Sequence, residues 1–81
     1  MEDYIVMAAM YPTMTSGKVD KFLVKIGDKV APGTAVAEII SEGYFTLLSE
    51  VAGRVKELYV MEGDYVEVDT AIIEVELAEE E

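Results

Sequence analysis

Side chains able to do chemistry are of few kinds in this chain. It has neither Cys nor His, so thiolate metal sites, disulfides and imidazole-based triads lack the residues to build them. Carboxylates, lysines and hydroxyls remain. Glu38 and Glu74 form a pair that invites an acid/base or metal reading. Asp28 and Asp64 each follow a Gly, and neither heads a run of alternating oxygen donors, so both read as turn residues rather than calcium ligands. No nucleophile, oxyanion donor or positive group completes a site around either Glu. The expectation is a chain that is not an enzyme and has no catalytic or metal-binding residues.

Charge narrows the partners further. There are 17 acidic and 6 basic residues, for a formal net charge of −11. Such a surface suits solubility and attraction to a basic protein, and it disfavours nucleic acid and anionic membrane. No apolar run approaches the length of a transmembrane helix, and Met1-Glu2-Asp3 lacks the basic start of a signal peptide. A soluble, cytoplasmic protein is therefore expected. At 81 residues there is room for one domain with a modest core. Residues 1–78 are assigned to it, and Glu79-Glu80-Glu81 to a disordered acidic tail.

The elements that must position these groups show themselves through a repeat. Shifted by 36 positions, residues 16–39 lie over residues 52–75 without a gap, and nine of the 24 pairs are identical, among them Gly17/Gly53, Val19/Val55, Gly27/Gly63, Asp28/Asp64 and Val30/Val66. One structural unit is used twice. Each copy reads as strand, Gly-Asp turn, short valine-containing segment, second turn and strand, the Gly supplying positive φ and the Asp bonding the turn backbone. Val19 and Phe22 are three apart, as are Val55 and Leu58. Strict alternation would put each pair on opposite faces, so a β-bulge or a strong twist is expected near Asp20 and near Lys56. No segment has helical spacing. Two halves of about four strands related by a pseudo-twofold axis give a flattened all-β barrel or sandwich. Its expected core is Val19, Val24, Val30, Ile39, Val55, Leu58, Val60, Val66, Ile73 and Val75, with Met7, Met10 and Met14 as filler. A first strand is expected over residues 4–9, followed by a loop through Met14.

Residues 39–48, centred on Ser41-Glu42-Gly43, read as a β-hairpin with its tip at Glu42 and Gly43. Adding 36 to Glu42 reaches Ala78, so the axis that relates the copies should place the tip and the chain's termini at opposite ends. Both flanks are unusually apolar. Ile40, Tyr44 and Phe45 therefore read either as an interaction surface, with Phe45 turned in and Tyr44 out, or as core side chains if the strand register has slipped by one.

Pro12-Thr13-Met14, Gly17, Phe22-Leu23-Val24-Lys25, Gly27-Asp28-Lys29-Val30, Gly33, Ala37-Glu38-Ile39, Val51-Ala52-Gly53 and Glu62-Gly63-Asp64 together resemble the lipoyl domain of 2-oxo acid dehydrogenase acyltransferases, with biotinyl carrier domains as close relatives. The resemblance covers the chain from about Tyr4 to Leu77. It implies a flattened hammerhead barrel of two four-stranded antiparallel sheets, with a modifiable lysine at the hairpin tip that carries lipoate or biotin. Counting forward from Gly27 puts that position at Gly43, and counting back from Gly53 puts it at Glu42. Neither residue can form the amide, so no cofactor is expected. Lys18, Lys21, Lys25, Lys29 and Lys56 fall on strands or turns away from the tip and read as solvated. Two functions follow from the resemblance. One is a carrier-family domain without its arm, docking to a protein partner or forming a homodimer through the hairpin. The other is a lysine-lacking variant of a true swinging-arm carrier domain from a 2-oxo acid dehydrogenase or carboxylase complex.

Overall fold

The computed structural model describes residues 1–78, and Glu79, Glu80 and Glu81 lie outside them. Eight strands follow in order: β1 (Glu2–Val6), β2 (Ser16–Phe22), β3 (Lys29–Val30), β4 (Ala35–Ile40), β5 (Tyr44–Leu48), β6 (Gly53–Leu58), β7 (Tyr65–Glu67) and β8 (Ala71–Leu77). They form two antiparallel four-stranded sheets, β1-β8-β6-β3 and β5-β4-β2-β7. The orders correspond when β2, β3 and β4 are exchanged with β6, β7 and β8. The fourth strand of each sheet lies outside the repeat. β5 follows β4 through a hairpin, whereas β1 reaches the same place beside β8 from the start of the chain.

Both expected bulges are present. Val19 faces Ile39 and Lys21 faces Glu38, leaving Asp20 unpaired; Val55 faces Val75 and Glu57 faces Glu74, leaving Lys56 unpaired. The extra residue restores Phe22 and Leu58 to the side of the sheet that packs on the core. The Gly-Asp turns also coincide. Gly27 and Gly63 have φ of 97° and 96°, Asp28 and Asp64 N–H donate to the Lys25 and Met61 carbonyls at 3.0 Å each, and each Asp carboxylate accepts back from the Lys25 or Met61 N–H. Both aspartates are thus occupied as turn residues, and Glu38 and Glu74 sit in different sheets.

Inward-facing strand positions, the residues at two further register shifts (Val36 and Ile72) and two loop methionines supply the core. Met7, Val19, Val36, Ala37, Ile39, Ile72, Ile73 and Val75 are wholly buried, and Ile5, Met14, Val30, Leu47, Val55 and Val66 nearly so. Each large side chain in such a place contributes about 1.5–3 kcal/mol. Two expectations are corrected here. Val24, Leu58 and Val60 are only half-buried against the core, because Val24 and Val60 lie beyond the last residues of β2 and β6 and Leu58 is the terminal residue of β6. Val36 and Ile72 take the central places instead. The first strand begins at Glu2 and ends at Val6 rather than spanning residues 4–9, since the register with β8 starts at the Glu2–Glu76 pair, and Met7 leaves the strand to bond Asp69 and Thr70.

The paired glycines at the strand starts are held by close approach. A Cβ on Gly17 would come within 2.6 Å of Ile39 Cγ2 and 3.0 Å of Met14 Cε, and one on Gly53 would strike the Glu76 carbonyl.

Edge strand β1 is clasped by charge. Lys56 Nζ lies 2.9 Å from Glu2 and 3.8 Å from Glu74, and the terminal ammonium lies 3.6 Å from Glu76. The Lys56 hydrogen bond holds the Glu2 carboxyl below its usual range, and the same contact raises Lys56. Beside them, Tyr59 donates to Glu74 at 2.6 Å. That bond, with desolvation next in weight, pushes the Tyr59 phenol from 10.0 up to about 12.

Two predictions follow from this packing. Ile39→Ala and Ile72→Ala should each cost about 2–5 kcal/mol in urea unfolding, with Val24→Ala and Val60→Ala costing clearly less, the reverse order being incompatible with this core. For Tyr59 the folded state prefers the protonated phenol, so its stabilisation is whole below pH 10 and is lost as pH rises toward 12. An ultraviolet phenolate titration should show one late-ionising tyrosine, and Tyr59→Phe should remove that phase.

Candidate functional site

The hairpin joining β4 to β5 turns through three residues, with Ile40 facing Tyr44 and the Ser41 N–H donating to the Gly43 carbonyl at 2.9 Å. Gly43 has φ of 152° and Glu42 has φ of 57°. A left-handed conformation costs a residue with a Cβ on the order of 1–2 kcal/mol, so Glu42 needs support from outside the turn.

Support comes from the loop between β1 and β2. The Tyr11 hydroxyl lies 2.7 Å from Ser41 Oγ and 3.1 Å from Glu42 Oε2, and Ser41 Oγ donates to the Ser16 carbonyl at 3.0 Å. The Tyr11 ring packs on Phe45 at 5.9 Å between centroids, tilted by 34°. A hollow of about 310 Å³ opens there, lined by Tyr11, Thr13, Ser41, Glu42 and Phe45. A larger groove of about 540 Å³ runs between edge strands β1 and β5, but aliphatic side chains such as Ile5, Val6, Leu47 and Leu48 dominate its lining.

The strand register has not slipped. Ile39 and Leu47 are buried, Phe45 is half-buried against Tyr11, and Tyr44 is 74% exposed. Phe45 therefore turns inward and Tyr44 outward. Ile40 is half-buried beside Tyr44. No amine stands on the turn, where Glu42 and Gly43 hold the tip. The nearest lysine in register is Lys18, opposite Ile40, with its Nζ 6.0 Å from the Tyr65 ring centroid on the far edge strand β7. Residues at this tip do not fit an amide-linked lipoyl or biotinyl group.

Register assembles a surface that no linear segment displays. Across β5, β4, β2 and β7 runs the row Tyr44, Ile40, Lys18, Tyr65, whose two tyrosines are 74% and 77% exposed. The corresponding row on the other sheet is Glu2, Glu76, Arg54, Lys29. One half of the duplicated architecture thus presents a charged row and the other an aromatic one.

Sequence reasoning singled out Ile40, Tyr44 and Phe45; the structure stands Tyr11, Lys18 and Tyr65 near them. A signal for Tyr11 exists: Met7 and Ser49 make equivalent backbone bonds, to Thr70 and Thr34, yet Gly17 follows Met7 by ten positions and Gly53 follows Ser49 by four. The additional loop is what reaches the tip.

A family described as Biotin-requiring enzyme (Biotin_lipoyl) matches residues 4–75. The dihydrolipoyllysine-residue acetyltransferase component of the pyruvate dehydrogenase complex from Rickettsia conorii (strain ATCC VR-613 / Malish 7) is 54% identical over 35 residues, which cover 43% of this chain and 8% of that protein. Component 3 of the corresponding mitochondrial acetyltransferase from Arabidopsis thaliana is 36% identical over an alignment of 67 residues covering 69% of this chain and 12% of that protein. The chain thus spans 12% or less of the length of these relatives. With the match running from β1 into β8 over two four-stranded antiparallel sheets, the chain belongs to the Biotin_lipoyl family.

Proposed function

We propose that this chain is a carrier-family domain that works without a swinging arm, as a non-catalytic docking or self-association module acting through the hairpin of residues 39–48. The observation that carries the reading is the row Tyr44, Ile40, Lys18, Tyr65 beside the tip, its two tyrosines exposed and Ile40 and Lys18 half-buried between them, set against a charged row at the same place on the other sheet. Aromatic residues exposed next to an aliphatic one have the composition of an interface centre. Glu42 and Gly43 stand where the family carries its lysine, and a carboxylate or a bare backbone cannot make the amide to lipoate or biotin. The relatives are components of the pyruvate dehydrogenase complex, which favours a protein as the partner. A net charge of −11 argues against nucleic acid and anionic lipid. It favours a basic protein over a second copy of this chain.

The test of the missing arm is intact mass after incubation with lipoate ligase or biotin ligase. The mass of the native chain should not change, and a gained lipoyl or biotinyl group would return it to the swinging-arm carriers. Glu42→Lys places an amine at the tip, and acylation of that variant would identify residue 42 as the attachment position. Tyr44→Lys tests docking: at an exposed strand position it should change stability by less than about 0.5 kcal/mol, while partner binding or dimerisation in sedimentation is lost. A stability loss of several kcal/mol would show Tyr44 to be structural.

A further inference from the structure

At the hairpin tip two hydroxyl protons serve three contacts. The Ser41 hydroxyl proton goes to the Ser16 carbonyl, an acceptor only, at 3.0 Å. Tyr11 donates to the exposed Glu42 Oε2 at 3.1 Å, and its oxygen lies 2.7 Å from Ser41 Oγ, a contact in which either hydroxyl can donate. Two protons thus face three acceptors, one of them ionised. Among the described residues no basic side chain pairs with Glu42. Beside the carboxylate, Tyr11 and Phe45 turn tilted rings 5.9 Å apart toward the hollow of about 310 Å³.

The geometry points to a binding site for the cationic side chain of a protein partner, arginine in preference to lysine, in the hollow formed by Tyr11, Thr13, Ser41, Glu42 and Phe45. This rests on the reading of the hairpin as a docking surface and names the chemistry that the surface takes. A guanidinium matches the groups that line this hollow. One N–H donates to Glu42 Oε2, a second reaches the free lone pair of the Tyr11 oxygen, and the plane lies against an aromatic face. Lysine offers the charge and a donor but not the planar fork. The surface charge of −11 draws a basic partner toward the domain, and Glu42 selects where its cation lands. The tip of this domain therefore receives a cationic side chain.

The experiment uses the full ¹⁵N-labelled chain titrated with Nα-acetyl-arginine amide, Nα-acetyl-lysine amide and the uncharged Nα-acetyl-citrulline amide. Amide shifts should concentrate at Ser41, Glu42, Gly43 and the Tyr11 loop with arginine, be weaker with lysine, and be absent with citrulline. In Glu42→Gln, which keeps the size and the turn, the arginine response should weaken about tenfold while the rest of the spectrum stays that of the native fold. No shifts with arginine, equal shifts with citrulline, or an unchanged response in Glu42→Gln would each overturn the site. Failure here is distinguishable from failure of the armless reading. A flat titration of a chain that ligases leave unmodified removes the cation site alone, and a chain that gains a lipoyl or biotinyl mass removes the armless function whatever the titration shows.

Discussion

Two buried valines hold the halves of this protein together through their backbones. At each bulge the strand turns its N–H and C=O away from its own sheet partner and across to the other copy. The Val19 N–H donates to the Asp64 carbonyl at 2.9 Å and its carbonyl accepts from Gly63 at 2.6 Å, while Val55 donates to Asp28 and accepts from Gly27, both at 2.8 Å. Each Gly-Asp turn thus closes on the bulged strand of the opposite half. Formed, such bonds contribute about 1 kcal/mol apiece, and left unmade in a buried place they cost more. Neither repeat can satisfy its own valine, so neither is a complete folding unit, and the duplicated turn chemistry follows from that exchange.

The exchange makes the two halves equivalent in backbone but not in connection. At one end, β4 continues into β5 through a three-residue turn; at the corresponding end of the other half, β1 and β8 are distant in sequence and meet by pairing. Ion pairs gather at that second end. Lys56 between Glu2 and Glu74, together with the terminal ammonium near Glu76, provides it with exposed pairs sensitive to salt. The hairpin end is covalently closed, and its outer row is Tyr44, Ile40, Lys18 and Tyr65.

Strain marks the same end. In the second turn of each copy the positive φ falls on Gly33 and on its counterpart Asp69, both suited to it, whereas at the hairpin it falls on Glu42 as well as Gly43. Tyr11, thirty-one residues away in sequence, holds that glutamate in place. A residue kept in an unfavourable conformation by a distant loop is a mark of sites where geometry serves recognition.

Much of the architecture was legible in the chain itself. The 36-residue repeat determined the all-β class, the pseudo-twofold arrangement and both Gly-Asp turns, and the three-residue spacings Val19–Phe22 and Val55–Leu58 located the bulges, because strand periodicity of two makes any departure visible. The tip of the hairpin and the lack of an amine on it were equally plain. Which apolar residues are central was not, since Val24 and Val36 have the same side chain and differ only in whether a strand or a turn carries them. Nor was the site. Tyr11 meets Glu42 because a long loop folds back, and Tyr44, Ile40, Lys18 and Tyr65 share a row because four strands from separate parts of the chain take a common register. Local pattern determines which residues form strands and turns; cross-strand register and loop packing, which depend on the whole molecule closing at once, decided which of them stand together.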